Sequence, residues 1–215
     1  MQTSIKWKIA QFMEIRWWRQ YLKAKSVADY QDYKTNYWKD FLASIKNFQL
    51  NAADAILDAG CGPAGIFIIL QDYQVTAVDP LLSSYERDLK HFSKHQYPTT
   101  TFIESGLESF ESPNRFDHVF CLNAINHVSD LDQSMDNLVN SAKPGGKIYL
   151  SIDAHNSTWW KHFNRIIHWD ILHPHQYDLE EYSQMLTSRN CQIDQRIFLK
   201  KTGPFDYYLL VATKT

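Results

Sequence analysis

Cysteine is scarce in this chain, and so is glycine. The three cysteines, Cys61, Cys121 and Cys191, are odd in number, far apart and free of any C-x-x-C spacing, which points away from a disulfide framework and from a zinc site. The expected compartment is a reducing one, the cytoplasm. Seven glycines in 215 residues are about half the usual share. Six of them, Gly60, Gly62, Gly65, Gly106, Gly145 and Gly146, fall in three short stretches. Charge of one sign is missing too: 22 Lys and Arg face 24 Asp and Glu, a net charge of -2, which gives no field to gather nucleic acid. No nucleic-acid partner is expected. No apolar run is long enough to cross a bilayer, and Lys6, Lys8, Glu14 and Arg16 interrupt the N-terminal apolar residues, so neither export nor a membrane span is expected.

What is present is the composition of a globular protein, 44% hydrophobic and 21% charged, in a length that suits one core with additions. Residues 1–47 read as two amphipathic helices. Ile5, Ile9, Phe12, Met13, Trp17 and Tyr21 recur at helical spacing from Ser4 to Lys25, and Tyr30, Tyr33, Tyr37, Trp38, Phe41, Leu42 and Ile45 trace a stripe from Asp29 to Asn47, with Asp29 as the cap. Residues 48–215 then alternate between strand and helix signals. Strands are expected at Ala55–Ala59, Gln74–Val78, Thr99–Ile103, Phe116–Leu122 and Ile148–Ile152, with helices near Ala64–Asp72, Leu82–Lys94 and Leu131–Ala142. A helix from Leu179 to Ser188 precedes two β-rich runs, Ile193–Lys200 and Tyr207–Ala212. The fold class is α/β, doubly wound: a seven-stranded, mostly parallel sheet closed by a C-terminal antiparallel hairpin, with an N-terminal helical lid belonging to the same domain.

The chemistry is concentrated between Ala55 and Gly65, where an apolar strand breaks into Gly60-Cys61-Gly62-Pro63-Ala64-Gly65. This is the G-x-G-x-x-G spacing, which lets a ligand approach bare backbone. An acid, Asp58, ends the strand just before the turn, and the next strand delivers Asp79, nineteen residues after Gly60, where a carboxylate suits a ribose diol. A dinucleotide would lay its pyrophosphate over that turn, and Asp58 would repel it. S-adenosylmethionine has no phosphate there, and its ammonium and sulfonium are cationic. The alternatives are an NAD(P)-dependent oxidoreductase, a non-catalytic nucleoside-binding module, and an ordinary strand-turn-helix with capping aspartates. Against the first, no Tyr-x-x-x-Lys follows the glycine loop.

Leu57-Asp58-Ala59-Gly60-Cys61-Gly62 resembles the first motif of the class I S-adenosylmethionine-dependent methyltransferases, and Val78-Asp79-Pro80 resembles their second. Phe116–Asn123 with Ala124–Val128 is similar to the family's fourth strand and its edge, and Lys143-Pro144-Gly145-Gly146 to its turn before strand five. The resemblance covers roughly residues 50 to 215. It implies S-adenosyl-L-methionine as cofactor, held by Asp58, Ala59, Gly60, Cys61, Gly62, Asp79, Pro80, Gly106, Leu107 and Asn123. In the family the first acid serves the methionine end and the second holds the ribose hydroxyls. Gly106 stands where the family commonly has an acid for the adenine amino group, which leaves adenine recognition there to backbone.

The resemblance leaves the acceptor open. Neither the Asn/Asp-Pro-Pro-Tyr/Phe stretch of nucleic-acid amine methyltransferases nor the paired glutamates of protein-arginine enzymes is present, so a small molecule is the default, with O-, N- and C-methylation unresolved. All seven tryptophans lie in the N-terminal helices and in the segment after strand five. Either they glue helices to the sheet or they wall an acceptor pocket, for which Tyr30, Tyr37, Trp38, Trp159 and Trp160 are the candidates. His127 is the candidate base, the alternatives being a satisfied helix residue or one that merely lines the cofactor. His155, His162, His168, His173 and His175 match no metal-ligand spacing, and no metal is expected. Residues 1–25 carry six basic side chains against one acid. A solvated basic face over a buried aromatic stripe is the commoner meaning of that pattern, and docking on an anionic membrane the rarer one.

Overall fold

The computed structural model describes residues 5–155, 177–202 and 205–215. Seven strands form one sheet: β1 (Ala55–Ala59), β2 (Gln74–Val78), β3 (Thr100–Ile103), β4 (Phe116–Leu122), β5 (Ala142–His155), β6 (Cys191–Thr202) and β7 (Phe205–Lys214). Their spatial order is β3-β2-β1-β4-β5-β7-β6. The first five run parallel, and β7 returns antiparallel between β5 and β6. This is the doubly wound sheet with its terminal hairpin, and it places a topological switch point where β1 meets β4, the position at which such sheets bind ligands.

Five α-helices accompany it among the described residues: α1 (Ile5–Leu22), α2 (Val27–Ala43), α3 (Leu82–Asp88), α4 (Leu131–Ser141) and α5 (Leu179–Thr187). The cap of α2 is Ser26, not Asp29: the Ser26 hydroxyl accepts the Asp29 N–H at 3.0 Å, which leaves Asp29 in the first turn. On α4, Leu131, Met135, Leu138 and Val139 repeat on one buried stripe, and Asp130 caps it by accepting the Gln133 N–H. α5 begins with a reciprocal capping box between Asp178 and Glu181.

Two expected helices are shorter or different in kind. The stretch after the glycine loop forms two 3-10 turns, Gly62–Ala64 and Ile66–Ile69, in place of a helix to Asp72. Gly65 between them is extended at ψ -173, and Ile66, Phe67 and Ile68 are all buried, so the segment has no solvent face for a helix to present. The helix from Leu82 stops at Asp88, and Leu89 becomes extended. Leu89, His91 and Phe92 all turn inward, which a continuing helix could not arrange on one side. β5 is longer than Ile148–Ile152, because Lys143–Gly146 joins the strand as an irregularity in its pairing with β4. Four non-glycine residues among those described have left-handed φ, Asn47, Asn114, Asn123 and Asn190. All are asparagines, the side chain that tolerates this conformation best.

The sheet's two faces carry separate cores. One gathers Ile56, Phe67, Tyr85, Phe92 and Phe120 with Ile15 and Leu22 of α1 and Tyr30, Trp38 and Phe41 of α2. The other gathers Leu57, Val78, Val119, Ile148 and Leu150 with α4 and α5.

Candidate active site

The C-terminal ends of β1, β2 and β4 open into a cavity of about 320 Å³. Its floor is the glycine loop. Gly60 has φ 72, and its N–H donates to the Val78 carbonyl at 2.7 Å. A Cβ on Gly60 would lie 2.3 Å from the Cβ of Ala124, so the β1 and β4 turns touch at their smallest residues. Gly62, at φ 58, is different: a Cβ there would meet only the Trp18 ring, at 3.9 Å. Bare backbone therefore faces the open cavity, a cradle that a larger side chain would fill.

Asp79 lies at the end of β2 in the cavity wall. Its Oδ2 accepts the Gly62 N–H and its Oδ1 the Leu81 N–H, both at 2.9 Å. Burial pushes its carboxyl up to about 7, the Glu14 charge adds to this, and the two N–H groups oppose it. Each oxygen keeps a lone pair for a ligand hydroxyl. Across the cavity, Glu108 folds back toward Gly106, where a Cβ would come within 2.9 Å of its Oε2. That oxygen is buried without a hydrogen-bond partner, while Oε1 accepts the Ser129 hydroxyl. Glu108 thus folds against the backbone at position 106, and Gly106 leaves it room.

Asp58 is placed under the loop, outside the cavity wall. It accepts the Phe67 N–H at 3.1 Å, and a Cβ on Gly65 would press to 2.4 Å from its Oδ2. Burial raises its carboxyl to about 7, against the Phe67 and Ile66 N–H groups and the Lys34 charge. The third glycine admits this carboxylate to the loop.

The remaining wall is aromatic and basic. Trp18 of α1, Tyr37 and Trp38 of α2 and Tyr207 of β7 line it with Lys34 and Lys200. The Trp38 indole N–H donates to the Ala64 carbonyl at 3.0 Å, fastening α2 to the glycine loop. Lys34 Nζ lies 5.1 and 5.0 Å from the ring centres of Tyr37 and Trp38. Burial lowers its ammonium to about 8; Asp58 opposes this shift and Lys200 adds to it. Lys200 Nζ stands 5.5 Å from the Tyr207 ring centre. The Tyr37 and Tyr207 side chains interact, the Tyr207 and Ser151 hydroxyls are hydrogen-bonded at 2.7 Å, and Ser151 accepts the Asn123 N–H at 2.8 Å.

Of the residues singled out in the sequence, Gly60, Cys61, Gly62, Asp79, Pro80, Gly106, Leu107, Asn123, His127, Tyr37 and Trp38 all border this cavity. Asp58 and Ala59 are buried beneath it. Tyr30 is also elsewhere, packed edge-on between Tyr21 and His91 in the core, because its helical position faces the sheet. Trp159, Trp160 and most of the histidine cluster lie outside the described residues. Among those described, no three His, Cys, Asp or Glu side chains stand together as metal ligands. Glu14, Trp18, Lys34, Glu108, Asp153, Lys200 and Tyr207 are further wall residues. Glu108 was signalled by its place beside Gly106, and Lys34 by sitting inside the Tyr30–Trp38 stripe.

A glycine cradle, a diol-ready acid and a half-buried carboxylate facing one cavity at the switch point are the features of a nucleoside-binding site. A family profile described as a methyltransferase domain matches residues 30–196. The chain belongs to the class I S-adenosylmethionine-dependent methyltransferase family, which sets aside the nicotinamide alternative. Among curated relatives, the ubiquinone biosynthesis O-methyltransferase of Rickettsia akari is 29% identical over 155 residues, covering 70% of this chain and 61% of that protein. The enzyme of the same description from Rickettsia bellii is 32% identical over 113 residues, covering 51% and 47%. The chain thus spans about half to three-fifths of these relatives' length. The Burkholderia thailandensis 1,6-didemethyltoxoflavin-N1-methyltransferase, solved with bound 1,6-didemethyltoxoflavin and S-adenosylhomocysteine, superposes with a TM-score of 0.61 at 13% identity, over 95% of this chain and 85% of that one. A putative methyltransferase from Bacillus halodurans gives 0.63 at 12% identity, over 84% and 98%. Both establish the shared fold.

Proposed function

We propose that this chain transfers the methyl group of S-adenosylmethionine to a hydroxyl of a small aromatic acceptor bearing an anionic group. The observation that carries the reading is the distribution of groups in the cavity: the carboxylates of Asp79, Glu14 and Glu108 around the glycine loop, and Lys34, Lys200, Tyr37 and Tyr207 on the opposite wall, where Asp153 is the one acid that acts on both tyrosines. When bound, the cofactor supplies an electrophilic sulfonium methyl. Asp79 accepts the ribose hydroxyls, and the partnerless Glu108 Oε2 accepts the adenine amino group. Lys34, on which the Asp58 charge acts more strongly than that of Lys200, faces the methionine carboxylate. Lys200 and the Tyr37–Tyr207 pair hold the acceptor's anionic oxygen, and Trp18 and Trp38 give its ring a flat, dry wall. His127, on the Asn123 side of the cavity, is the base if the hydroxyl arrives protonated.

Residues 1–47 act as a lid within the same domain, since α1 and α2 contribute both core and cavity wall. O-methylation is favoured by the Rickettsia relatives, named as O-methyltransferases. Mass spectrometry of dihydroxybenzoic acids incubated with S-adenosylmethionine tests this. A single methyl added to oxygen is expected, with KM raised by Lys200→Met and kcat little changed. Methyl transfer to the methyl esters as efficient as to the acids would defeat the anionic assignment.

A further inference from the structure

We propose that the outer face of α1 is a docking surface for an anionic lipid bilayer. Surface helices normally turn polar residues outward. This one exposes Phe12, Trp17, Ile9 and Met13 at 67, 52, 44 and 40% of their area. These are four of the six large hydrophobics exposed among the described residues, so the apolar surface is concentrated and not scattered. Their spacing, 9, 12, 13 and 17, is one helical face. Exposed Arg16, Arg19 and Lys23 stand among them, and only Arg19 reaches an acid, Asp88, at 3.1 Å. The single acid of α1, Glu14, is turned away: it accepts the Tyr85 hydroxyl at 3.0 Å and borders the cavity. The face is therefore apolar and basic with no acid of its own helix.

That charge pattern selects the occupant. A second copy of this chain docking face to face would set Arg16 and Lys23 against their like. An anionic leaflet satisfies both components, taking the rings into the headgroup boundary and the cations against lipid phosphates. No described helix is long and apolar enough to cross a membrane, so α1 lies flat on the surface. Because Glu14 and Trp18 on its other side border the cavity, a docked α1 holds the acceptor pocket at the level of the lipid headgroups. An acceptor with an apolar tail could then enter without leaving the bilayer. This last step rests on the proposed activity; the docking does not.

The test is co-sedimentation of the full chain with vesicles of phosphatidylcholine alone and of phosphatidylcholine mixed with phosphatidylglycerol, at low and high salt. Binding to the mixed vesicles only, weakened by salt, is expected. Phe12→Glu and the pair Arg16→Glu with Lys23→Glu should each reduce it by about tenfold or more. S-adenosylhomocysteine affinity, measured by calorimetry on the same variants, should not change, which separates loss of docking from loss of fold or site. Three results would overturn the proposal: no binding to the mixed vesicles, equal binding to both lipids, or a dimer in sedimentation that Phe12→Glu converts to monomer without any vesicle binding.

Discussion

The two faces of the sheet are built from different materials. On the side of α4 and α5, aliphatic side chains such as Leu57, Val119, Leu138 and Ile148 fill the core beneath regular, capped helices. On the side of α1 and α2, rings dominate: Phe67 meets Phe92, Tyr97 and Phe102 edge-on with centroids 6.4, 4.9 and 5.2 Å apart. The covering there is two 3-10 turns, the two-turn α3 and the N-terminal pair. Short turns bring little backbone and few side chains to each unit of sheet, so large rings must span the gaps. The aromatic side also supplies the cavity wall through Trp18, Tyr37 and Trp38. The site thus lies on the side of the sheet whose covering combines short turns with the two long N-terminal helices.

The most severe way to break this contrast is to remove one covering altogether. Deleting residues 1–47 strips Tyr30, Trp38, Phe41 and Ile45 from the aromatic core. The product should be poorly soluble, without a cooperative thermal transition by circular dichroism. A soluble remnant that binds S-adenosylhomocysteine as tightly as the full chain would show that these helices are an appendage.

Single truncations grade the two cores against each other. Phe67→Ala should destabilise by about 3 to 5 kcal/mol in denaturant unfolding, since a fully buried ring contacting three others leaves a large cavity. Leu138→Ala on the aliphatic side should cost about 2 to 4 kcal/mol, because α4 can settle toward the sheet. The reverse order would mean that the rings are loosely held.

In the site, Asp79→Ala should weaken S-adenosylhomocysteine by about 1 to 3 kcal/mol in calorimetry. Unchanged affinity would remove Asp79 from the ribose. The smallest effect is one of pH. Asp79 has its folded carboxyl near 7, well above its unfolded value. Its stabilising contribution in the ligand-free protein is thus complete below about 4 and is lost as pH rises through about 7. Ligand hydroxyls prefer the ionised form, so S-adenosylhomocysteine affinity should move the opposite way and rise between about pH 6 and 8. Asp79→Asn should flatten the affinity profile and lessen the slope of the stability profile, to which the buried Asp58 carboxyl, also raised to about 7, contributes in the same window; if the affinity profile of the variant keeps its slope, another group titrates there.

Much of this molecule was legible from residues alone. β2 and β4 fall where alternating and apolar runs place them, and Gly60, Gly62 and Asp79 meet at one cavity because strand ends in a parallel sheet converge on the switch point. Local pattern failed after the glycine loop, where Ile66, Phe67 and Ile68 are all buried and leave no solvent face for a helix. Asp58 accepts the Phe67 N–H, and it lies under the glycines where spacing alone had set it beside them. Tyr30 and Tyr37 share a stripe yet diverge, one into the core and one into the cavity, since seven residues keep the same face but carry the side chain about 10 Å along the helix axis. Lys200 and Tyr207 come from the far hairpin, and only the tertiary fold brings them to Lys34.

The four left-handed asparagines bear on the unfolded chain. Glycine would adopt φ values of 52 to 58 without steric cost, but it would also give the denatured ensemble more conformations to lose. Each asparagine in place of glycine withholds on the order of 0.4 to 1 kcal/mol of that entropy, at the expense of some strain in the folded backbone. A chain with so few glycines begins folding from a narrower ensemble. Asn47, Asn114 and Asn190 serve turns away from the cavity, while Asn123 holds the same conformation in the cavity wall, its N–H fixed on Ser151. Thermal stability and the shape of the cavity wall are therefore joined at that one backbone position.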